Sequence, residues 1–195
     1  MSTNETDEKI YSRFLSEREE EDLRLLLERY RDPLMFFLFG YVHNMEDAEE
    51  LMMDSLAEVA AGRTVFSGRS SFRTWLFAVA RNKARMHLRK RRPETVSIDH
   101  LQVPIDHLPQ AADLADNPEV RFLQDERSVQ LHRAMMKLEP EAQHALHLIY
   151  FEDMSYDELA QVLGKSRRQT YRLADRYRSQ LKKILESEDS NEDNR

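Results

Sequence analysis

Apolar residues recur every three or four positions in two segments of the N-terminal half, which is the spacing of one face of an α-helix. The first segment, residues 47–62, ends at Gly62, a residue suited to a helix C-cap. The second begins near Ser70 or Ser71, either of which can act as an N-cap. The predicted buried positions are Ala48, Leu51, Met52, Leu56, Val59 and Ala60 in the first helix, and Phe72, Trp75, Leu76, Val79 and Ala80 in the second.

The C-terminal half contains two helix-start signals in tandem. Ser155 and Glu158 have the spacing of a capping box, and Ser166 and Gln169 repeat it directly after Gly164. A short helix, a turn that contains glycine and a longer second helix form a helix-turn-helix, whose second helix reads the major groove of DNA. The spacing therefore predicts this motif.

Four of the six prolines lie within residues 93–118, which show no sustained helical period. Because proline blocks the continuation of a helix, we interpret this segment as an extended linker. The chain has only four glycines and is rich in helix-forming residues. The predicted fold is all-α, with two small helical domains at 1–92 and 119–186, and an acidic tail at 187–195.

Charge is distributed unevenly along a chain whose formal net charge is -7. Residues 81–92 contain seven Lys and Arg and no acid, and residues 165–183 contain eight against Asp175 alone. Two basic segments in an otherwise acidic protein indicate two places where a polyanion is held. The alternative is that each segment is only a solvated helix face.

The sequence gives little support for secretion, membrane insertion or catalysis. It has no cysteine, its N-terminal segment is too acidic for a signal peptide, and its most apolar run, residues 33–42, is half the length of a membrane span. Glu141, His144 and His147 have metal-ligand spacing, but a di-iron bundle needs a second such motif. We predict a cytoplasmic protein that is not an enzyme, with no cofactor and no metal.

Three segments together resemble an extracytoplasmic-function (ECF) sigma factor, a small specificity subunit of bacterial RNA polymerase. "DAEELMMDSLAEV" resembles the family's helix that docks on the polymerase clamp, and "SSFRTWLFAVARNKARMHLRKRR" resembles its promoter-melting helix. "LEPEAQHALHLIYFEDMSYDELAQVLGKSRRQTYRLADRYRSQLKKIL" resembles its upstream-element reader. The chain departs from the usual family residues at Met53, Asp54 and Met86, and in the recognition helix over residues 169–172.

The resemblance implies three binding surfaces, with core RNA polymerase, promoter DNA and an anti-sigma factor as partners. Residues 49–54 would contact the polymerase clamp, through Glu49, Glu50, Met53 and Asp54. The downstream promoter element would meet Phe66, Ser67, Arg69, Phe72, Arg81, Asn82, Lys83, Arg85, Arg89 and Lys90. The upstream element would meet Arg167, Arg168, Gln169, Tyr171, Arg172 and Arg176.

Two other functions are compatible with parts of this pattern. A one-component helix-turn-helix regulator would bind duplex DNA without polymerase, but it would not need the "WLFAVARN" helix or the long linker. A helical adaptor that binds only proteins would leave both basic segments unused. The sequence therefore favours a transcription initiation factor that directs polymerase to promoters and assists their melting.

Overall fold

The computed structural model describes residues 5–90 and 126–192. These residues form eight α-helices and no strand, which confirms the predicted all-α fold. The helices are α1 (Asp7–Glu17), α2 (Glu20–Val42), α3 (Met45–Ala60), α4 (Phe72–Lys90), α5 (Glu126–Met136), α6 (Pro140–Tyr150), α7 (Tyr156–Leu163) and α8 (Arg167–Glu192). The linker predicted at 93–118 lies outside the described residues.

Helix α3 forms where the sequence predicts it. The Asn44 side chain accepts a hydrogen bond from the Asp47 backbone N–H at 2.9 Å and so caps the first turn. At the other end Gly62 has φ of 64°, a left-handed conformation that glycine adopts without strain. The predicted apolar face is buried against α2 except at Ala60, which is only half-buried.

The start of α4 is capped from two sides. The Ser71 hydroxyl accepts a hydrogen bond from the Thr74 N–H at 3.2 Å, as expected of an N-cap. The carboxylate of Glu8, in α1, accepts another from the Phe72 N–H at 2.7 Å. A residue 64 positions earlier thus satisfies one of the free N–H groups that every helix start exposes.

An aromatic cluster joins α1, α2 and α4. The Phe72 ring lies 4.9 Å from Tyr11 and 5.6 Å from both Tyr30 and Trp75, measured between centroids. Phe66, from the loop before α4, packs 5.2 Å from Trp75. Aromatic rings bury a large apolar area per residue. This cluster therefore holds the loop before α4, and the first turn of α4, against α1 and α2.

The C-terminal half forms the predicted helix-turn-helix. Both parts of the Ser155–Glu158 capping box are present at the start of α7, and α7 ends at Gly164, with φ of 62°. Ser166 and Gln169 form the second box through bonds of 3.0 Å and 3.3 Å. Helix α8 continues to Glu192, so the acidic tail predicted to begin at residue 187 is helical over its first six residues.

The two halves also pack against each other. Helix α7 lies on α4, and α6 lies on α2. At the second contact the helices approach so closely that a Cβ atom at Gly40 would stand 3.1 Å from Cδ2 of His144. Sequence periodicity did not predict this interface.

The first prediction concerns the hydroxyl of Tyr11, which donates a hydrogen bond of 3.0 Å to the Val59 carbonyl at the end of α3. Tyr11→Phe should lower the free energy of unfolding by about 1 kcal/mol, because one buried hydrogen bond is lost while the ring packing remains. The Gly62 N–H still bonds that carbonyl, which limits the loss. Urea unfolding measures it, with the exposed Tyr150→Phe as control; equal stability of both variants would contradict the assignment.

Candidate nucleic-acid interface

The structure places the six predicted upstream-reading residues together on the surface of α8. Arg167, Arg168, Gln169, Tyr171, Arg172 and Arg176 are all exposed. The opposite side of the helix is anchored in the domain core through Thr170, Ala174, Tyr177 and Leu181. A basic, solvent-facing helix start on a rigid base is the geometry that a major-groove reader needs.

The arginines of α8 differ in what they contact. Arg168 and Arg172 make no ion pair with any residue that the structure describes. Arg167 pairs with Asp157 of α7 at 2.8 Å, and Arg176 pairs with Glu139 at 3.5 Å. Both pairs are largely exposed, so each stabilises the protein by about 1 kcal/mol at most, and a nucleic-acid phosphate can displace the acid at little cost.

A row of tyrosine and arginine side chains in mutual contact runs along the flank of α8 that faces α7. The Tyr156 and Tyr171 rings are 4.4 Å apart, and the Arg167 guanidinium lies 5.6 Å from the Tyr171 ring. The Arg178 guanidinium continues the row, at 5.4 Å from Tyr156 and 5.7 Å from Tyr150. The predicted upstream-reading set did not include Tyr150, Tyr156 or Arg178, although the spacing of Arg167, Tyr171 and Arg178 on one helix face was a usable signal.

The second basic surface follows α4. Arg81, Arg85 and Arg89 recur at four-residue spacing along one side of the helix, which becomes more exposed toward its C-terminus. Of the predicted downstream residues, Ser67, Arg69, Asn82, Arg89 and Lys90 are exposed, while Phe66, Arg81, Lys83 and Arg85 are half-buried. The predicted set is thus divided between exposed and half-buried positions on α4 and the loop before it.

Several of the predicted downstream residues have contacts inside the protein, and Lys83 and Phe72 are two examples. The Lys83 ammonium lies 2.6 Å from the Glu58 carboxylate, and this hydrogen bond, with one from Thr64, lowers the pKa of Glu58. Phe72 is 1% exposed and forms the centre of the aromatic cluster. Phe72 therefore packs beneath the loop, and the exposed residues of loop 63–71 are Arg63, Val65, Ser67, Gly68 and Arg69.

The four predicted polymerase-contacting residues share the solvent face of α3. Glu49, Glu50, Met53 and Asp54 are all exposed, and Met53 is 59% exposed. The face therefore presents three carboxylates around one large apolar side chain. Such a patch suits a basic partner surface with a small apolar contact at its centre.

Glu141, His144 and His147, which have metal-ligand spacing, contact other side chains of the protein. His144 stacks on Tyr41 at 3.4 Å with nearly parallel rings, whereas the carboxylate of Glu141 binds the Lys165 ammonium at 2.9 Å. His147 stacks with Phe151. No cluster with the composition of a metal site is present in residues 5–90 and 126–192.

Comparison with known families identifies both halves. The sequence model of Sigma-70 region 2 matches residues 26–94, and that of Sigma-70, region 4 matches residues 128–181. The first match contains α3 and α4, and the second contains the helix-turn-helix. The chain is an ECF sigma factor of the sigma-70 family.

Sequence similarity to known sigma factors covers most of this chain. It is 27% identical over 165 residues to RNA polymerase sigma-H factor of Pseudomonas aeruginosa, covering 84% of this chain and 85% of that one. It is 29% identical over 161 residues to RNA polymerase sigma factor YlaC of Bacillus subtilis, covering 82% and 90%.

Two solved structures share the fold of the sigma factor. CnrH in complex with the cytosolic domain of CnrY matches with a TM-score of 0.64 at 20% identity, over 94% of this chain and 99% of that one. The sigma factor RpoE in complex with the anti-sigma factor NepR from Bartonella quintana matches with a TM-score of 0.60 at 22% identity, over 85% and 98%.

Family membership settles the general activity. The sigma factor binds core RNA polymerase and directs it to promoters as a transcription initiation factor, which confirms the function predicted from sequence. The alternatives of a one-component regulator and a helical adaptor are not favoured. Among the residues that the structure describes, no helix has both the length and the apolar content needed to cross a membrane.

Proposed function

We propose that this sigma factor uses three separate surfaces during initiation: the exposed face of α3 for polymerase, the loop 63–71 with α4 for the downstream element, and the start of α8 for the upstream element. The observation that carries the proposal is the position of the two basic surfaces, one in each half of an acidic chain. Each lies on a helix whose other side is anchored in a core.

The upstream element is read by α8 from the major groove. Arg168 and Arg172 point outward one turn apart, where a guanidinium can bond guanine O6 and N7 with two parallel hydrogen bonds. Arg167 is already oriented by Tyr171 and Asp157, so less of its side-chain freedom is lost on binding. Gln169 is committed to the capping box of α8, which reduces its availability for a base contact.

The downstream element is held after its strands have separated. Arg81, Arg85 and Arg89 would follow the phosphates along α4, while Ser67 and Arg69 meet an unstacked base. Unstacking costs a few kcal/mol per base, and stacking on an arginine or aromatic plane returns about 1–3 kcal/mol. Promoter melting is then driven by binding energy and needs no nucleotide hydrolysis or cofactor.

We also propose that the protein works in the cytoplasm, where polymerase and promoter DNA are found, and that it has no catalytic activity of its own. The proposal includes an anti-sigma factor as regulator, because both solved structures that share the fold are complexes with a second protein. Co-purification from the native host, with the chain as bait, tests that partner.

The polymerase surface gives the second prediction. Glu50→Arg with Asp54→Arg should weaken binding to core polymerase by about tenfold or more, or ~1.4 kcal/mol, because both changes oppose a basic partner. The measurement is a titration of labelled core enzyme. Glu17→Arg with Glu19→Arg is the control, since it makes the same charge change at an exposed turn outside α3. Affinity within threefold of wild type for the α3 variant would remove this surface from the proposal.

The third prediction separates base reading from phosphate binding. Arg172→Ala should cost about 1–3 kcal/mol on the preferred promoter and relax preference at one upstream base pair. Arg89→Ala with Lys90→Ala should weaken binding of the polymerase complex to all promoters alike. The slope of log affinity against log salt concentration should fall by an amount that corresponds to about two phosphate contacts. Binding to a set of promoter variants at several salt concentrations distinguishes them. Identical behaviour of the two variants would contradict the assignment.

The fourth prediction tests melting. Arg69→Ala should reduce run-off transcription from duplex promoters. Its activity should recover on a template with a pre-melted bubble, because the bases are then already unstacked. Arg172→Ala should not recover on the bubble. Phe72→Ala is unsuitable here, since loss of a buried aromatic ring costs about 3–5 kcal/mol of stability. Rescue of both variants, or of neither, would contradict the division of roles.

A further inference from the structure

Helix α1 binds the chain on both sides of loop 63–71. Before the loop, the Tyr11 hydroxyl donates a hydrogen bond of 3.0 Å to the Val59 carbonyl, in the last turn of α3. After the loop, the Glu8 carboxylate accepts a hydrogen bond of 2.7 Å from the N–H of Phe72, the first residue of α4. Glu8 and Tyr11 are three residues apart and share one face of α1. One turn of α1 thus joins the helix before the loop to the helix after it.

Helix α1 also contacts the loop between these two points. The Phe66 ring packs edge-on against Tyr11, with 6.1 Å between centroids, and lies 5.2 Å from Trp75 of α4. Where the chain leaves α3, a Cβ atom at Gly62 would stand 3.8 Å from Cδ2 of Leu15. The same helix therefore contacts the segment before, within and after the loop.

Helix α1 is itself fixed to α2. The Arg13 guanidinium binds both carboxylate oxygens of Asp22, at 2.5 Å and 2.7 Å, and Asp22 is 2% exposed. At the other end of α1, the Asp7 carboxylate accepts hydrogen bonds from Arg29 and Tyr30 of α2. Because a bidentate arginine–carboxylate pair has a defined geometry, α1 is held in one orientation against the domain core.

The bond between Glu8 and Phe72 is one that α4 cannot supply from within. The first N–H groups of a helix have no acceptor four residues earlier, so the Phe72 N–H depends on a group from elsewhere. Burial raises the pKa of Glu8, but the hydrogen bonds it accepts, first among them that from the Phe72 N–H, lower the pKa overall. The acceptor is thus an ionised carboxylate, which makes the hydrogen bond about twice as strong as a neutral one.

We propose that α1 is the positioning element of the loop, and that Glu8 and Tyr11 set the loop's conformation before DNA binds. The inference rests on the function proposed above, in which Ser67 and Arg69 meet an unstacked base. A loop that is already ordered loses less conformational entropy on binding, so more of the binding energy is available to separate the strands. Helix α1 then assists promoter melting without contacting the promoter.

The sign of the effect at Glu8 distinguishes positioning from charge. Removing an acid reduces the repulsion of phosphate, so the loss of charge alone should strengthen promoter binding. The loss of a positioning contact should weaken promoter opening instead. Glu8→Gln removes the charge but keeps an oxygen that can accept the Phe72 N–H, whereas Glu8→Ala removes both. Glu17→Ala is the matched control, because it makes the same change at an exposed position at the other end of α1.

The fifth prediction is measured by run-off transcription with core polymerase. Glu8→Ala should reduce transcription from duplex promoters by about tenfold, which corresponds to the loss of one hydrogen bond to a charged group. Glu8→Gln should stay within about threefold of wild type, since it keeps a neutral hydrogen bond. Glu17→Ala should match wild type. The activity of Glu8→Ala should recover on a template with a pre-melted bubble, whereas a general loss of stability would lower transcription from both templates alike.

Two measurements on the free protein report on the loop without transcription. The Phe72 N–H should be protected from hydrogen exchange in wild type and in Glu8→Gln, and should lose that protection in Glu8→Ala. Trp75 is the single tryptophan of the chain and packs against Phe66 of the loop. Acrylamide quenching of its fluorescence should therefore increase in Glu8→Ala, where the loop is released, and should stay at the wild-type level in Glu17→Ala.

A second variant tests the other side of the loop independently. Tyr11→Phe removes the hydroxyl that bonds the Val59 carbonyl and keeps the ring that packs against Phe66. Its defect on duplex promoters should be smaller, at about threefold, because the lost bond is neutral and the Gly62 N–H still bonds that carbonyl. This defect should also disappear on the bubble template.

The outcomes separate this inference from the proposed function. Wild-type transcription of Glu8→Ala and Tyr11→Phe from duplex promoters, defects that persist on the bubble, or unchanged Phe72 exchange and Trp75 quenching in Glu8→Ala would each overturn the positioning role of α1. The role of the loop itself is tested by Arg69→Ala. Normal transcription of that variant from duplex promoters would overturn the proposed function, whereas exchange and quenching would still show whether α1 sets the loop's conformation.

Discussion

Helix α4 packs on two sides: one side lies in the core of the N-terminal half, and the other contacts α7 of the C-terminal half. The arrangement of the rest of the structure depends on these two contacts. Phe72, Leu76 and Ala80 face α1, α2 and α3, while the side that carries Thr74 and Arg81 faces α7. Only the last turns of α4 remain exposed on most sides. A helix that contributes to both a domain core and an interdomain contact couples the position of the helix-turn-helix to that of the surface proposed to hold the downstream element.

Hydrogen bonds at helix ends fix the helices that carry the proposed DNA-binding surfaces. Free N–H groups in the first turn must find acceptors, and in this protein the acceptors are Ser71, Glu8, Ser155 and the side chain of Glu158. The Ser166–Gln169 pair performs the same role for α8 with an uncharged amide. A neutral residue at that position keeps the start of the recognition helix free of negative charge, which would repel phosphate.

Features encoded within about four residues were predictable from the sequence. The buried stripes of α3 and α4, the two capping boxes and the left-handed glycine at position 164 are local, and the structure confirms them except at Ala60 and Trp75, which are half-buried. The residues of the three surfaces were assigned through the family resemblance together with charge and spacing, and those on α3 and α8 are exposed. Their individual roles remain proposals.

Features that depend on distant pairing were not predictable. Phe72 has the spacing of a buried residue and also lies next to the loop, and only the rings supplied by α1 and α2 decide that it is buried. The stacked row through Tyr156 and Arg178 needs residues from three helices. The contact between Gly40 and His144 joins positions 104 residues apart in the printed sequence, which no local pattern encodes.

His144 shows why spacing alone is a weak guide to chemistry. The Glu-x-x-His pattern indicates a metal site only when a second set of ligands faces it. Here the imidazole of His144 faces Tyr41 and the backbone of Gly40 instead. A neutral imidazole packs there as a flat ring, but its protonated form would bring charge into a site that already contains Arg81. The same residue that made a metal site conceivable thus makes the interface between the halves sensitive to its protonation, and this sensitivity follows from burial rather than from coordination chemistry.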